Sequence, residues 1–301
     1  MTIVLGMRFS PSSGLLAADE QTSYGARKSD FSEKIYVAPG GDLPSMLAGG
    51  AGSAQMIRRV MMRYNDSEER GVEVFHRIVH ASKIAAFDDY LHSKYGVGIN
   101  AFHTGLDARG NPIGEALKRR IEGAIDTNGS EIADMVNNSF VIIEPATMDI
   151  WTTGMLSPTL FPSPRPYAIT GSGADIADAR LSTFYTGVAR EDRANIPFMN
   201  GLRAALLAMD DSARMNVGVG GVPSMAVVRD GAFYRPTQRN SRLAVELVRS
   251  EDKGLIEDGF VDENLEQLIE DDRSFSDVYR NFPRAAKNRT KLDLFLRGYI
   301  V

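Results

Sequence analysis

The first twenty residues commit the chain to a sheet. Between Thr2 and Arg8 the pattern alternates, with Ile3, Leu5 and Met7 on one face, and a second apolar run from Gly14 to Ala18 follows the turn formers Ser10-Pro11-Ser12-Ser13. Two short strands joined by such a turn predict an antiparallel hairpin. A polar turn from Glu20 to Ser32 leads to a strand at Lys34-Ile35-Tyr36-Val37, and another is predicted from Leu43 to Ala48. At Gly49-Gly50-Ala51-Gly52 the period changes, because Ala54, Ile57, Val60 and Met61 recur at helical spacing. A glycine-rich strand-to-helix junction is expected there.

Beyond it, Ser67 to Asn137 reads as mostly helical, while Phe140–Ile143 and Asp149–Thr153 return to strand character. A proline-rich loop (Ser157–Pro166) precedes Tyr167-Ala168-Ile169-Thr170-Gly171-Ser172-Gly173, and helices are predicted over Ala174–Tyr185 and Pro197–Ala213. Val222–Val228 and Ala232–Tyr234 flank Arg229-Asp230-Gly231, a hairpin signal. Residues 236–301 are charged and predicted helical, with an acidic run Asp262–Asp272 and a basic stretch Arg284–Lys291. The expectation is an α+β core domain over residues 2–235, with an enlarged helical segment at about 66–137, and a C-terminal helical extension over 236–301.

Composition excludes several function classes. The 34 Lys and Arg against 39 Asp and Glu give a formal charge of −5, with no basic stripe, which argues against nucleic acid or an anionic membrane as partner. No apolar run approaches the roughly 18 residues of a membrane span. Cysteine is absent, so disulfides, thiolate nucleophiles and cysteine-held metals drop out, and a nucleophile has to be a hydroxyl, an amine or a carboxylate. The start, Met1-Thr2-Ile3-Val4-Leu5, has no basic, apolar and cleavage-site succession, so a cytoplasmic location is expected. No phosphate-binding loop ending in Gly-Lys-Ser or Gly-Lys-Thr occurs, and Gln55 stands where a dinucleotide fingerprint needs its last glycine or alanine. His76 and His80 share a helix face without a convincing third ligand, so neither metal nor cofactor is predicted.

In order along the chain, Thr2, Ala17-Ala18-Asp19, Lys34-Ile35-Tyr36, Ala48-Gly49-Gly50-Ala51-Gly52-Ser53-Ala54-Gln55 and Thr170-Gly171-Ser172-Gly173 resemble the proteasome β-subunit family, which includes HslV. The resemblance covers the first 65 residues and returns at about residues 138 to 235. It implies a four-layer αββα N-terminal-nucleophile hydrolase sandwich, two antiparallel sheets flanked by helices, and a threonine-type peptidase or amidase. The chemistry such a set needs can be stated from the residues. Threonine after an initiator methionine permits methionine removal, and a free α-amine, with a reference pKa of about 7.7–8.0, serves as base for its own hydroxyl. Lys34 would favour the developing alkoxide and disfavour charge on that amine, and Asp19 would fix Lys34 through a charge-assisted hydrogen bond.

By the same resemblance, Gly49 supplies the backbone N–H that stabilises the oxyanion, and Ser172 serves as a proton relay beside the amine. The family's Asp and Ser before a late Gly-Gly are missing, since an ungapped fit to Gly220-Gly221 gives Asn216 and Val219. An aspartate–serine pair lies earlier, at Asp211-Ser212, so Asp211 and Asn216 are rivals for the relay. The stretch 209–220 resembles Anbu, the ancestral-type bacterial branch of that superfamily. Resemblance also places Thr22, Ser32, Leu47 and Ala51 in the side-chain pocket, which implies a neutral residue before the cleaved bond. It further implies peptide or unfolded-protein substrates, homo-oligomers in rings or helical stacks, and a possible separate ATP-dependent unfoldase. Two other readings stay open: a peptide ligase or transpeptidase on the same fold, and an inactive structural ring subunit.

Overall fold

The strand–turn–strand start folds as predicted, and the next strands build a second sheet against it. The computed structural model describes the chain apart from residues 1, 20–21, 25–26, 30–33, 108, 128–131, 133–135, 155–158, 217–218, 221–222, 258, 272–274 and 298–301; for 22–24, 27–29 and 126–127 it describes the backbone alone. The first sheet uses β1 (Ile3–Ser10) and β2 (Ser13–Asp19), and a two-stranded ribbon, β3 (Thr22–Tyr24) with β4 (Arg27–Ser29), follows. Then come β5 (Ile35–Ala38) and β6 (Met46–Gly52), and, among the described residues, the helices α1 (Ala54–Asn65), α2 (Val72–Tyr95), α3 (Ile99–Thr104) and α4 (Glu115–Thr127). Strands β7 (Asn138–Glu144), β8 (Asp149–Thr153), β9 (Leu160–Pro162) and β10 (Tyr167–Gly171) precede α5 (Ala174–Thr186) and α6 (Phe198–Met215). The chain continues through β11 (Pro223–Arg229), β12 (Ala232–Tyr234), α7 (Gln238–Asp252), α8 (Phe260–Glu270), α9 (Phe275–Asn281) and α10 (Arg289–Leu296).

The fold is an α+β sandwich of two antiparallel five-stranded sheets flanked by helices, ordered β10-β1-β2-β11-β12 and β5-β6-β7-β8-β9. The chain divides into two compact units, one of Met1–Ala51, Phe140–Thr152 and Phe161–Val301, the other of Gly52–Ser139 and Thr153–Leu160. In the first unit, β1 and β2 are buried on both faces. Ile3, Leu5, Met7, Leu15 and Ala17 face a helical layer with Leu202, Leu206, Leu243 and Leu247, while Val4, Leu16 and Ala18 face Leu47, Val141 and Ile143 of the other sheet. Alternation thus sorts one strand's side chains between two cores rather than between core and solvent. The segment after Tyr234 adds Val261, Leu265, Leu268, Phe282 and Phe295 to the same helix-side core.

Gly49 faces Val4 and Leu16 across the space between the sheets. A Cβ there would lie 2.4 Å from Val4 Cγ1, so the position has no room for a side chain. The second unit has its own small core around Tyr90, Leu91 and Ile121. Among the described residues, no helix is long and apolar enough to cross a membrane.

Two local expectations shift. The strand predicted over Leu43–Ala48 runs from Met46 to Gly52, because Pro44 has no N–H to give a ladder and Ser45 N donates to Ala38 O at 3.2 Å, closing the connection from β5. The glycine run is therefore strand, and the helix begins only after Ser53, whose hydroxyl caps it by accepting from Met56 N at 3.4 Å. The Arg229-Asp230-Gly231 turn forms as read, with Asp230 at φ 49° and Gly231 at φ 82°.

Candidate active site

Thr2, at the entrance to β1, lies between Lys34 and Ser172. The end of β2 brings Asp19 alongside, since Val4 pairs with Ala18, and the segment entering β5 brings Lys34. Lys34 Nζ donates to Thr2 Oγ1 at 2.8 Å and to Asp19 Oδ1 at 2.8 Å. All three are nearly sealed from solvent, at 8% exposure for Thr2, 6% for Lys34 and 2% for Asp19. One ammonium therefore bridges a hydroxyl and a carboxylate in a low-dielectric setting, where both contacts are strengthened and the ammonium's position is narrowly fixed.

Asp19 is held from three sides. Its Oδ1 also accepts from Ile3 N at 2.9 Å, and its Oδ2 accepts from Gly220 N at 3.4 Å. Burial pushes its carboxyl above the usual range, against the opposing pull of the Lys34 charge and hydrogen bond and of the two backbone N–H groups. On the other side of Thr2, the Thr2 N–H donates to Ser172 Oγ at 3.2 Å, and the Ser172 hydroxyl lies 3.4 Å from Thr2 O, to which it can donate. Gly171, paired with Ile3 and at φ 103°, permits that approach: a Cβ there would lie 2.1 Å from Thr2 O.

The remaining predicted residues fall as follows. Gly49 is paired with Ile35 inside β6 rather than opening a helix, and its neighbour Gly50 donates to Lys34 O at 3.3 Å, tying the strand to the lysine. Leu47 and Ala51, on the same face of β6 as Gly49, are buried in the core between the sheets. Thr22 opens β3 opposite Ser29, and Ser32 lies outside the described residues. Of the two rivals, Asn216 Nδ2 donates to Ser172 O at 2.7 Å, whereas Asp211 lies 3.8 Å from Arg180 on the neighbouring helix. Sequence reading passed over Gly220 and Gly171, which contribute a backbone donor and a backbone shape; the signal was present in the Gly-Gly and Gly-Ser-Gly runs, read there for other purposes. It likewise gave no role of its own to Ser212, whose buried hydroxyl donates to Gly173 O at 3.0 Å.

Chemically, the cluster offers a hydroxyl oxygen held by a cation, a backbone nitrogen beside a serine hydroxyl, and a carboxylate that fixes the cation. Two stacked antiparallel five-stranded sheets flanked by helices define the fold class, an α+β sandwich. Within that class, the structures it is similar to include Anbu, the ancestral β-subunit, from Yersinia bercovieri, with a TM-score of 0.54 at 13% identity over 84% of this chain and 94% of that one. A Gly-1 mutant of Anbu from Hyphomicrobium sp. strain MC1 has a TM-score of 0.52 at 14% identity, covering 86% and 99% of the two chains. The helical assembly of the Anbu complex from Pseudomonas aeruginosa has a TM-score of 0.54 at 14% identity, covering 84% and 93%. At this identity the likeness establishes a shared fold. No family model matches the chain, and no curated protein matches it.

Proposed function

We propose that the protein is a threonine-type peptidase or amidase whose nucleophile is Thr2 Oγ1, armed when the Met1–Thr2 bond is cleaved. The observation that carries this reading is the Lys34 ammonium, 2.8 Å from both Thr2 Oγ1 and Asp19 Oδ1 inside a nearly dry site. A threonine that only started a strand would need no buried cation at its hydroxyl.

The α-amine freed at Thr2 takes the hydroxyl proton as Oγ1 attacks the substrate carbonyl, and it passes that proton to the departing amine. The ester on Thr2 is then cleaved by water, with the amine again as base, and the carboxylic acid leaves. Lys34 stabilises the forming alkoxide and, as a like charge, keeps the nearby amine in its neutral, basic form. Asp19 holds Lys34. Ser172 Oγ, already the acceptor for Thr2 N–H, orients the amine. The backbone N–H of Gly49 receives the oxyanion, a donor of the kind whose loss costs roughly a hundredfold to a thousandfold in turnover.

The neutral residues Thr22 and Ser32 suit an uncharged side chain before the cleaved bond, whereas Leu47 and Ala51 are buried in the core between the sheets. The Pseudomonas aeruginosa Anbu complex is described as a helical assembly, and self-assembly of this chain into a ring or helical stack follows as part of the proposal. Substrates would then be peptides or unfolded chains, delivered with or without a separate unfoldase.

The test is cleavage of a peptide library by purified protein beside Thr2→Ala. Cleavage by the wild type and none by Thr2→Ala is the expected result. Equal cleavage by the two proteins removes the mechanism.

A further inference from the structure

The turn that carries Ser172 is gripped from its far side by the last turn of α6. Ser212 and its C-cap Asn216 are four residues apart, so both side chains leave the same helix face. Their targets are consecutive carbonyls: Asn216 Nδ2 donates to Ser172 O at 2.7 Å, and Ser212 Oγ donates to Gly173 O at 3.0 Å. A serine within a helix commonly turns its hydroxyl back to the carbonyl four residues earlier, and Ser212 instead reaches outward to another segment while remaining fully buried. The opposite side of the turn presses on the start of β1. A Cβ at Gly171 would fall 2.1 Å from Thr2 O, and a Cβ at Gly173 would fall 3.3 Å from Ile3 Cβ and 3.2 Å from Ser212 Cβ. The turn is thus wedged between Thr2-Ile3 and α6, with no spare space on either side.

We propose that Ser212 and Asn216 act as a two-point clamp that sets the position of the Ser172 hydroxyl against Thr2 N. They are positioning residues, acting through the backbone of the turn. The catalytic consequence rests on the peptidase reading of Thr2, whereas the clamp itself rests on the contacts. The identity of Asn216 fits this task. An amide presents N–H donors to a carbonyl, while an aspartate of the same shape would set one oxygen against another. Asp211, adjacent to Ser212, directs its carboxylate to Arg180 instead.

The experiment compares the full-length wild type with Asn216→Ala, Asn216→Asp and Ser212→Ala in two readouts. The first is amide hydrogen exchange in the peptide covering residues 167–175. The second is the saturation curve for acylation of Thr2 by a peptide β-lactone, whose ring opens as the threonine hydroxyl takes the acyl group. Asn216→Ala should speed exchange at Ser172 and Gly173 by about tenfold, leaving the β1–β2 hairpin unchanged. It should also lower the maximal acylation rate on the order of tenfold to a hundredfold, with an unchanged half-saturating concentration, because displaced geometry costs rate rather than binding. Asn216→Asp should behave like the alanine variant in both. Since Asn216 is half-exposed, its variants decide the matter even if Ser212→Ala does not fold. Unaltered exchange in Asn216→Ala, or an Asn216→Asp protein acylated as fast as wild type, overturns the clamp. Faster exchange in the Asn216 variants together with no acylation of wild type supports the clamp and removes the peptidase reading.

Discussion

Replacing Lys34 by methionine removes the ammonium while keeping most of the stem's volume, and leaves Asp19 buried at 2% exposure with, among the described residues, the Ile3 and Gly220 N–H groups as partners. Removing one partner of a buried pair costs about 3–5 kcal/mol when the other charge stays. The carboxyl has an escape, which is to take up a proton. Burial already raises it, and without the Lys34 charge and hydrogen bond it rises further. Protonation at pH 7 lies about 3 pH units above the unfolded carboxyl's pKa of about 3.9, at about 1.4 kcal/mol per unit, so the penalty is capped near 4 kcal/mol. At pH 5 the same cap is about 1.5 kcal/mol. The sign is that of a group whose folded pKa exceeds its unfolded one: the penalty is absent below about pH 4 and grows as pH rises toward the folded value. Urea unfolding followed by the single tryptophan, Trp151, reports on the unit that holds the site, since Trp151 sits in β8 with its Nε1 donating to Glu144 at 3.1 Å. Lys34→Met should be less stable than wild type at pH 7, most of the deficit should vanish at pH 5, and a further Asp19→Asn change should restore much of it. A deficit equal at the two pH values would refute the reasoning, because Asp19 would not be its source.

Gly49→Ala drives a methyl into Val4 and should cost about 1–3 kcal/mol by overpacking. With Val4→Ala added, the combined loss should fall short of the sum of the two by at least about 0.5 kcal/mol, as measured by a double-mutant cycle. Gly171→Ala places a side chain at φ 103° and against Thr2 O, and should cost about 1–3 kcal/mol while slowing acylation of Thr2; an alanine variant acylated at the wild-type rate would show that the turn does not hold Thr2.

The parts of the fold that rest on local chemistry were legible in the sequence. The β1–β2 hairpin, the Asp230-Gly231 turn and helices α5 and α6 follow from turn formers and apolar period, which act over a few residues. The double burial of β1 was not legible, because Ile3-Leu5-Met7 alternating with Val4 looks the same whether the second face meets water or another sheet. Nor did the charged surface of residues 236–301 reveal how Leu243, Leu247, Leu268 and Phe282 enter the helix-side core, since an amphipathic helix hides its buried face in its composition. At the site, Thr2, Asp19, Lys34 and Ser172 are brought together by strand pairing across 170 residues, and their identities were readable as a set only through the ordered motifs that resemble the proteasome β-subunit family, each residue being weak alone. The grips on Ser172 and Asp19 by Asn216, Ser212 and Gly220 were not, since they act on backbone atoms or through them, and backbone contacts leave only a weak trace in residue type.

The central claim is that Thr2 is an armed nucleophile. It is tested most directly by intact-mass spectrometry of the purified protein before and after exposure to a peptide epoxyketone, which bridges a threonine hydroxyl and its own α-amine. The account predicts a chain that has lost Met1 and gains one adduct, mapped to Thr2. A chain that keeps Met1 and gains none, or one modified elsewhere, would contradict it.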